Sequence, residues 1–597
     1  MSAAKNVRIG CGAGFWGDSA EGPAQLVGHG DIQYLVMDYL AEITMSLLAR
    51  AKAKRPESGY ATDFVGAVMR PLLPELAAKK IKVVTNAGGV NPEACRAALE
   101  AVCAELGVSL KIATVGGDDL LARAGELAAL GITDMATGAP FPDEPWSANA
   151  YLGALPIAAA LDLGADVVIT GRVVDSALVL GPLVHEFVWA ADDYDRLAAG
   201  SLAGHILECG AQATGGLFTD WADVAGWEDM GFPIAECAPD GTFTVTKPAG
   251  TGGLVSTATI AEQITYEIGD PARYVLPDCI ADFSNVRLQQ LGPDVVAVAG
   301  ARGYPPTASY KTSVTYPDGF RCTATMMIGG IEAAAKARKV ADAILGRTRR
   351  LFGARGLPDY TQTSVEVLGA EATYGPHART ATTREVVLKI GVMHADEKAL
   401  ELFAREIFPA ATAMAPGLTG FAGGRPSPQP VVKLFSCLVP KQLVAMAVAI
   451  GDARFPIAAN VPGHAPAPPP PLVYPAPAPG DTVEVPLLAL AHGRSGDKGD
   501  SANVSVLARR PEYVAIIGSQ LTADAVARYF AHLAAGPVTR FDWPGLHGFN
   551  FVLERALGGG GVASLRHDPQ GKAYAQMLLD FPVRVPADWA RQHGLAH

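Results

Sequence analysis

Three residue types that can carry acid–base or nucleophilic chemistry lie close together in the segment Gly204–Gly210. In a helix, His205 and Cys209 share one face at a spacing of four residues, and Glu208 follows His205 by three. This spacing could give a Cys209 thiolate its base, or could form a His205–Glu208 pair for general acid–base catalysis. A buried cysteine beside a structural histidine would produce the same pattern. The segment is not H-E-x-x-H, so we do not predict zinc.

A second charged pair follows a β-branched run that ends at Thr170. Arg172 could hold a carboxylate or a phosphate through two parallel hydrogen bonds. Asp175 could act as an acid or a base, although a helix cap and an internal salt bridge would use the same two residues. We therefore place Asp175 with the candidate catalytic residues and Arg172 with the candidate anion-binding residues.

Two glycine-bearing loops also follow short β-branched runs, which makes three such loops in all. One has the spacing G-x-G-x-x-G, and the other is Asn86–Gly89. Glycine allows backbone N–H groups to face an anionic ligand without an intervening Cβ, although glycine pairs after strands are often only turns. The candidate binding residues of these two loops are Gly12, Gly14, Phe15, Trp16, Gly17, Asp18, Asn86, Gly88 and Gly89.

Asp38 closes the next predicted strand, at the position where a dinucleotide site would carry its ribose-binding carboxylate. Gly22 and Pro23 leave room for only a short helix after the first loop, and Phe15 and Trp16 are bulky where a pyrophosphate would approach. An oxidoreductase that uses NAD(P) or FAD therefore stays an alternative. The default expectation is that no cofactor is required.

The C-terminal part carries the segment Arg494–Asp500, which is dense in charge and glycine at the end of a predicted strand. Asp497 and Lys498 could contact a charged ligand, and Asp497 with Asp500 could hold a hard cation. Internal pairing of these carboxylates with Arg494 and Lys498 is the simpler interpretation. Asp497 and Lys498 join the candidate binding residues, and no metal ligand set is predicted.

The elements that must position these residues alternate between strand and helix over residues 1–235, which predicts a Rossmann-like, mostly parallel sheet with flanking helices. The carboxyl ends of such strands meet at one edge, so we expect the three loops to form one pocket. Residues 236–460 predict a second α/β domain with antiparallel strands and with hairpin turns at Asp240-Gly241 and Asp318-Gly319. A Pro/Ala-rich linker at 461–482 precedes a small α+β domain at 483–597.

The charge, the apolar stretches and the cysteines of the chain limit the classes of protein to which it can belong. The net charge of −12 and the lack of a basic stripe argue against a nucleic-acid partner. The longest apolar stretch is interrupted by Asp162 and Asp166, so no membrane span is predicted. Eight scattered cysteines without a CxxC motif favour a reducing compartment, and the N-terminus lacks a basic-then-apolar leader. We expect a cytoplasmic homo-oligomer with a small-molecule substrate.

Several long motifs together are similar to the acyclic terpene utilisation protein A (AtuA) family. They are GAGFWGD, DYLAE (Asp38–Glu42), TNAGG, TGRVVDSAL and GHILECGAQATGG. The segment HGRSGDKGDSANV resembles the ferredoxin-like domain at the C-terminus of family members, which implies a ferredoxin-like fold there.

The resemblance implies a role in the bacterial catabolism of citronellol- and geraniol-type compounds. This catabolism proceeds through branched acyl-CoA thioesters, so the implied activity is that of a lyase or hydratase acting on such a thioester or a related carboxylate. The resemblance transfers no catalytic residues. A non-catalytic subunit that binds acyl-CoA or a nucleotide within a larger complex is the other alternative.

Overall fold

The computed structural model describes residues 6–475 and 480–595. The strands of the body are β1 (Val7–Cys11), β2 (Tyr34–Met37), β3 (Lys82–Thr85), β4 (Ile112–Gly116), β5 (Ser147–Ala150), β6 (Val167–Thr170), β7 (Ile234–Cys237), β8 (Phe243–Thr246), β9 (Tyr274–Val275), β10 (Ile280–Asp282), β11 (Arg287–Gly292), β12 (Val295–Ala299), β13 (Arg302–Tyr304), β14 (Ser309–Gly329), β15 (Gln362–Leu368), β16 (Glu385–His394), β17 (Leu418–Phe421), β18 (Gln429–Pro440), β19 (Ala447–Ile450) and β20 (Ala453–Pro456). Those of the C-terminal part are β21 (Thr482–Pro486), β22 (Ala491–Lys498), β23 (Ser501–Ala508), β24 (Val538–Trp543), β25 (Gly548–Leu553) and β26 (Pro582–Pro586).

The helices of the body are α1 (Glu21–His29), α2 (Glu42–Lys54), α3 (Arg70–Lys79), α4 (Pro92–Leu106), α5 (Ala124–Ala129), α6 (Leu155–Asp162), α7 (Ala177–Phe187), α8 (Tyr194–Leu207), α9 (Thr257–Thr265), α10 (Ala333–Gly353), α11 (Glu397–Arg405) and α12 (Ala410–Ala413). The C-terminal part adds α13 (Val514–Gln520), α14 (Ala523–Tyr529), α15 (Tyr574–Leu578) and α16 (Ala587–Gln592). Over the described ranges, no helix combines the length and the apolarity needed to cross a membrane.

The largest sheet of the described chain has eleven strands in the order β11-β12-β8-β7-β1-β2-β3-β6-β4-β19-β20. Its centre, from β1 through β2, β3 and β6 to β4, is parallel, whereas β7 and β19 pair antiparallel at the two sides. Central strands such as Val167–Thr170 are buried along their whole length, as expected where both faces of a parallel sheet are covered. The mixed α/β class is confirmed.

The Rossmann-like arrangement is not confirmed. In the dinucleotide-binding order the first strand lies at the point where the strand order reverses. Here the chain moves steadily from β1 to β2 and β3, and it turns back only between β4 and β6. The loop after β1 is therefore not at the reversal point of the sheet.

The boundary predicted at 235–236 passes through β7, which pairs with β1. The hairpin of β19 and β20 then returns to the opposite side of the same sheet. One continuous sheet therefore joins the first two predicted domains, and their division stays a prediction.

A second layer is built on the long strand β14, whose first half pairs with β5 and β18 and whose second half pairs with β16 and β17. The helices α10 and α11 pack on this layer. The hairpin turn predicted at Asp318-Gly319 is wrong, because β14 runs through it. The extra residues are absorbed as a register shift between Pro317 and Phe320, where Gly319 has φ +72°. The turn at Asp240-Gly241 does join β7 to β8, with Gly241 at φ +90°.

The C-terminal part forms the four-stranded antiparallel sheet β22-β23-β25-β24 and the separate pair β21-β26. It is held to the body by buried side chains near α9. The Oγ atoms of Ser505 and Thr265 are 2.7 Å apart, Asn503 Nδ2 donates to Thr265 O at 2.9 Å, and Trp543 Nε1 donates to Phe283 O at 2.8 Å.

The predicted linker is in contact with both parts over its described residues. Gly463 N donates to Pro306 O in the body, and the Tyr474 ring lies 5.4 Å from that of Phe549 in the C-terminal sheet. Residues 476–479 of the predicted linker lie outside the described residues.

Candidate functional site

The three loops singled out from the sequence follow β1, β3 and β6, so the structure brings them to one edge of the parallel sheet. Their glycines allow close packing between backbones. A Cβ at Gly14 would lie 2.6 Å from the carbonyl carbon of Cys209, and one at Gly88 would lie 2.5 Å from Thr170 O. These glycines therefore place the loops against each other and against residues 209–210.

Some backbone N–H groups of the two glycine loops donate hydrogen bonds to acceptors within the same loop. Gly14 N donates to Asp18 Oδ2 at 2.9 Å, and Gly89 N donates to Asn86 O at 3.1 Å. Trp16 Nε1 donates to Asp63 Oδ1 at 2.6 Å, whereas Phe15 is 59% exposed. Anion binding by the remaining N–H groups of these loops stays a prediction.

Asp38 and Asn86 form a buried pair between the ends of β2 and β3. Asp38 Oδ1 accepts from Asn86 Nδ2 at 2.7 Å and from Leu40 N at 3.1 Å, and Asn86 Oδ1 accepts from Tyr39 N at 2.7 Å. Burial, together with the nearby Asp175 charge, raises the pKa of Asp38 well above its usual range. Asp38 therefore connects the loops through its Oδ1, and its role in ligand binding stays a prediction.

Arg172 is buried beneath the third loop with its charge satisfied internally. Its Nη1 donates to Asp175 Oδ1 at 2.5 Å, and its guanidinium lies 4.2 Å from the centre of the Tyr151 ring. Its backbone N–H donates to Asp118 Oδ2 at 2.9 Å. Although burial opposes the charge, Asp175 and other nearby acidic groups, including Glu42, raise the pKa of Arg172. The guanidinium is thus a fixed positive charge behind the cleft.

Sequence reasoning missed a group around Tyr151. The Tyr151 hydroxyl donates to the Glu42 carboxylate and accepts from Ser313 Oγ at 3.1 Å. Lys311 Nζ lies 3.3 Å from Glu42 Oε1 and 4.7 Å from the centre of the Tyr151 ring. Burial disfavours a charged Glu42, but Lys311 and Arg172 hold its pKa well below its usual range. The side chains of Lys311 and Glu42 are 36% and 30% exposed, so both can be reached from solvent.

His205 and Glu208 form the pair that their spacing predicted. His205 Nδ1 lies 3.2 Å from Glu208 Oε1, while Nε2 lies 3.0 Å from Ile264 O. Because a carbonyl only accepts, Nε2 must carry a proton, and Nδ1 is left to face the Glu208 carboxyl. His205 is 1% exposed, whereas 12% of the Glu208 side chain is accessible. His205 is therefore enclosed beside Glu208, and Glu208 is the more accessible member of the pair.

The surroundings of this pair shift its protonation. Burial raises the pKa of Glu208 above its usual range, although the neighbouring His205 opposes this shift. Burial opposes the charged form of His205, but Glu208 raises the pKa of its imidazole. Burial and the Glu208 charge also raise the pKa of the Cys209 thiol well above its usual range. This environment disfavours the thiolate that a Cys209 nucleophile would require.

The C-terminal part contributes Asp497 and Lys498 from the end of β22. Lys498 Nζ lies 3.9 Å from Glu267 Oε2, and 49% of its side chain is exposed. Burial disfavours a charged Lys498, but Tyr274, Glu267 and Glu42 raise its pKa. Burial, with Glu267 nearby, raises the pKa of Asp497 to about 7. The charges of the two parts of the chain therefore act on each other across one cleft.

Glu267 is held at this cleft in an unusual backbone conformation. Its φ of +59° is in the left-handed region, and its N–H donates to Asn503 Oδ1 of the C-terminal sheet at 3.0 Å. Such strain persists only where the surrounding structure imposes it, and it is typical of functional sites. No feature of the sequence around Glu267 identifies it, because its position depends on the docking of the C-terminal part.

The fold and the site together define a mixed α/β protein whose small C-terminal domain adds charged side chains to those gathered at the carboxyl edge of a parallel sheet. Residues 7–450 match the family model described as acyclic terpene utilisation family protein AtuA, and residues 485–584 match the AtuA ferredoxin-like domain. The chain therefore belongs to the AtuA family, which confirms the resemblance and supports a function related to terpene utilisation. No curated protein and no solved structure matches the chain.

Proposed function

We propose that this protein is a catabolic lyase or hydratase that acts on a branched acyl-CoA thioester or a related carboxylate. The observation that carries the proposal is the pair of accessible lysines, Lys311 and Lys498, which come from different parts of the chain. Both lie beside the carboxylates of the same cleft, and Glu42 raises the pKa of each. Membership of the AtuA family supports the substrate class.

The two lysines bind the anionic or polarised end of the substrate. Lys498 is 49% exposed and Lys311 is 36% exposed, so a thioester carbonyl or a carboxylate can approach both ammonium groups. A proton removed next to a thioester carbonyl leaves an enolate oxygen, and a nearby ammonium stabilises that developing charge. Arg172 acts behind them as a positioning residue, because Asp175 and Tyr151 already surround its guanidinium.

Glu208 moves the proton in this proposal. The raised pKa of Glu208 is closer to neutral pH than that of an ordinary glutamate. Such a pKa suits a group that must both accept and return a proton. His205 holds the Glu208 carboxyl in place through Nδ1 and is itself fixed by Ile264 O. Asp175 is a second acidic group at the same cleft, with 33% of its side chain exposed.

The test is turnover of a panel of branched, unsaturated acyl-CoA thioesters, with products identified by mass as hydrated or cleaved species. Glu208→Gln keeps the shape of the side chain but cannot cycle a proton, so kcat is expected to fall about 100-fold with little change in KM. Glu401→Gln is the matched control, since its side chain is 51% exposed on α11.

Two results would contradict the proposal. One is a folded Glu208→Gln variant that turns over the thioester at the wild-type rate. The other is a wild-type protein that binds the thioesters without converting any of them, which would favour the non-catalytic binding subunit.

A further inference from the structure

A cavity of about 500 Å³ lies between the loop that contains residues 215–230 and the C-terminal domain. Residues of β22 and α15 form its far wall. Cavities of this volume are typical of sites for small organic molecules. The cavity is distinct from the cleft that holds Glu42, Tyr151 and Lys311, because none of these residues lines it.

One wall of the cavity is apolar and strongly exposed. Trp221 and Trp227 are 63% and 59% exposed, and their ring centres lie 6.2 Å apart in an edge-to-face arrangement. Leu217 is 65% exposed and has a φ of +62°. Large apolar side chains that are grouped and exposed around a concave surface are typical of a binding site.

Another part of the cavity lining is cationic. Arg494 and Lys572 line it, and the described residues that line it include no carboxylate. Arg494 is stacked 4.8 Å from the centre of the Tyr266 ring, and its Nη1 donates to Leu217 O at 3.1 Å. Glu262, the acidic group near Arg494, is buried, and burial raises its pKa to about 7. At the same end, Lys572 shares the carboxylate of Glu267 with Lys498, so one carboxylate serves two ammonium groups.

The cationic end adjoins the candidate active site through Glu267. Lys572 Nζ lies 3.9 Å from Glu267 Oε1, and Lys498 Nζ lies 3.9 Å from Oε2 of the same carboxylate. One carboxylate thus separates a lysine of the cavity from a lysine of the cleft. A ligand chain in the cavity would have its polar end directed toward the reacting groups.

We propose that this cavity holds the apolar chain of a medium-chain acyl group, with the carboxylate or thioester end directed at Lys572. The tryptophans and Leu217 contact the chain, and the two cations select a negative or polarised head over a positive one. The proposal rests on the proposed function only in placing the head next to Lys498, and it identifies the chain-length class of the substrate.

Binding is tested by calorimetry with three probes: decanoate, butyrate and decylamine. Wild-type protein is expected to bind decanoate at least about tenfold more tightly than butyrate, because butyrate buries much less apolar surface. It is also expected to prefer decanoate to decylamine, and Lys572→Met should reduce that preference. Equal affinity for decanoate and butyrate would overturn the proposal.

The walls are tested by two substitutions of exposed side chains, which leave the core intact. Trp227→Ala and Leu217→Ala should each weaken decanoate binding, the former by about tenfold. Leu130→Ala is the matched control, because Leu130 is 55% exposed and does not line the cavity. Unchanged decanoate affinity in both wall variants would overturn the proposal. A wall variant that dissociates an oligomer at unchanged affinity would also overturn it, by showing that a second copy covers the surface.

These measurements need no turnover, so the two proposals can fail separately. Thioester conversion with unchanged decanoate affinity in both Trp227→Ala and Leu217→Ala removes the cavity proposal and leaves the activity. Selective decanoate binding that depends on Trp227, without conversion of any thioester, supports the cavity and removes the lyase or hydratase.

Discussion

Asp38 and Asn86 show how single residues determine the shape of the site. Both side chains are buried, and together they satisfy the N–H groups of Tyr39 and Leu40 where β2 ends. The sequence places Asn86 at a strand tip but cannot show that its amide is used by a neighbouring strand. Its amide therefore connects two loops, whereas Lys311 and Lys498 are more accessible and are the ligand contacts that we propose.

Asn86→Ala is expected to destabilise the protein by about 2 to 3 kcal/mol, because it leaves the buried Tyr39 N–H without a partner and removes one of the two hydrogen bonds to Asp38 Oδ1. The measurement is the free energy of unfolding in denaturant. Asn6→Ala is the control, since its bond to Glu236 is exposed. An equal loss of unfolding free energy in the two variants would show that the buried pair contributes no more stability than the exposed hydrogen bond.

The closeness of His205 and Glu208 was predictable from the sequence, whereas the Tyr151 group was not. His205 and Glu208 are one helical turn apart, so local spacing alone brings them together. Tyr151 meets Glu42 and Lys311 only because β5 pairs with β14, far along the chain. The local sequence carries no signal of such long-range pairing. Glu42 could be noted from the sequence only as part of the DYLAE motif.

Elements with strong end signals were predictable, and irregular strands were not. The helix α4 carries such signals in its sequence, because Pro92 suits its first turn and Gly107 ends it at φ +66°. Asp318-Gly319 has the residues of a hairpin turn but occupies a bulge in β14. Local turn chemistry was overruled there by pairing with β18 on both sides of the bulge.

Gly319 and Gly346 should respond in opposite directions to alanine. Gly319 has φ +72°, and a Cβ there would lie 2.8 Å from His394 O, so Gly319→Ala is expected to cost about 1 to 2 kcal/mol. Gly346 lies within α10 with open space around it, so Gly346→Ala should stabilise by about 0.5 to 1 kcal/mol. Thermal unfolding measures both. A Gly319→Ala variant that unfolds at a higher temperature than the wild type would contradict the bulge at this position.

The C-terminal domain brings Lys498 to the candidate site, next to Glu267 of the body. Lys498 reaches the cleft only because buried hydrogen bonds such as Asn503 Nδ2 to Thr265 O hold the ferredoxin-like domain on α9. The sequence predicted that the domain exists and that Lys498 is a binding candidate. It could not show which face of the body the domain covers, since that depends on shape and on polar groups far apart in the chain.

Docking of this domain should depend on pH through Glu262. Burial raises the pKa of Glu262 from 4.5 to about 7, and its Oε1 accepts from Thr219 N beside the domain contact. Its folded-state pKa is above the unfolded one. Its contribution to stability is therefore fully present below about pH 4.5 and is lost as the pH rises through about 7, by at most about 3 kcal/mol.

Glu262→Gln stays neutral at every pH and isolates this effect. Its unfolding temperature, relative to that of the wild type, is expected to rise as the pH increases from 5.5 to 8.5. Unfolding curves of the two proteins that shift in parallel over this range would contradict the assignment.

Whether residues from both parts of the chain form one catalytic site is tested by the kcat/KM of Lys498→Met with a branched acyl-CoA thioester. In a variant that is folded and docked as in the wild type, kcat/KM is expected to fall about 100-fold, because substrate and enolate lose their ammonium partner. Lys339→Met, at an exposed position of α10, should behave as wild type. A folded Lys498→Met variant within about threefold of the wild-type kcat/KM would contradict it.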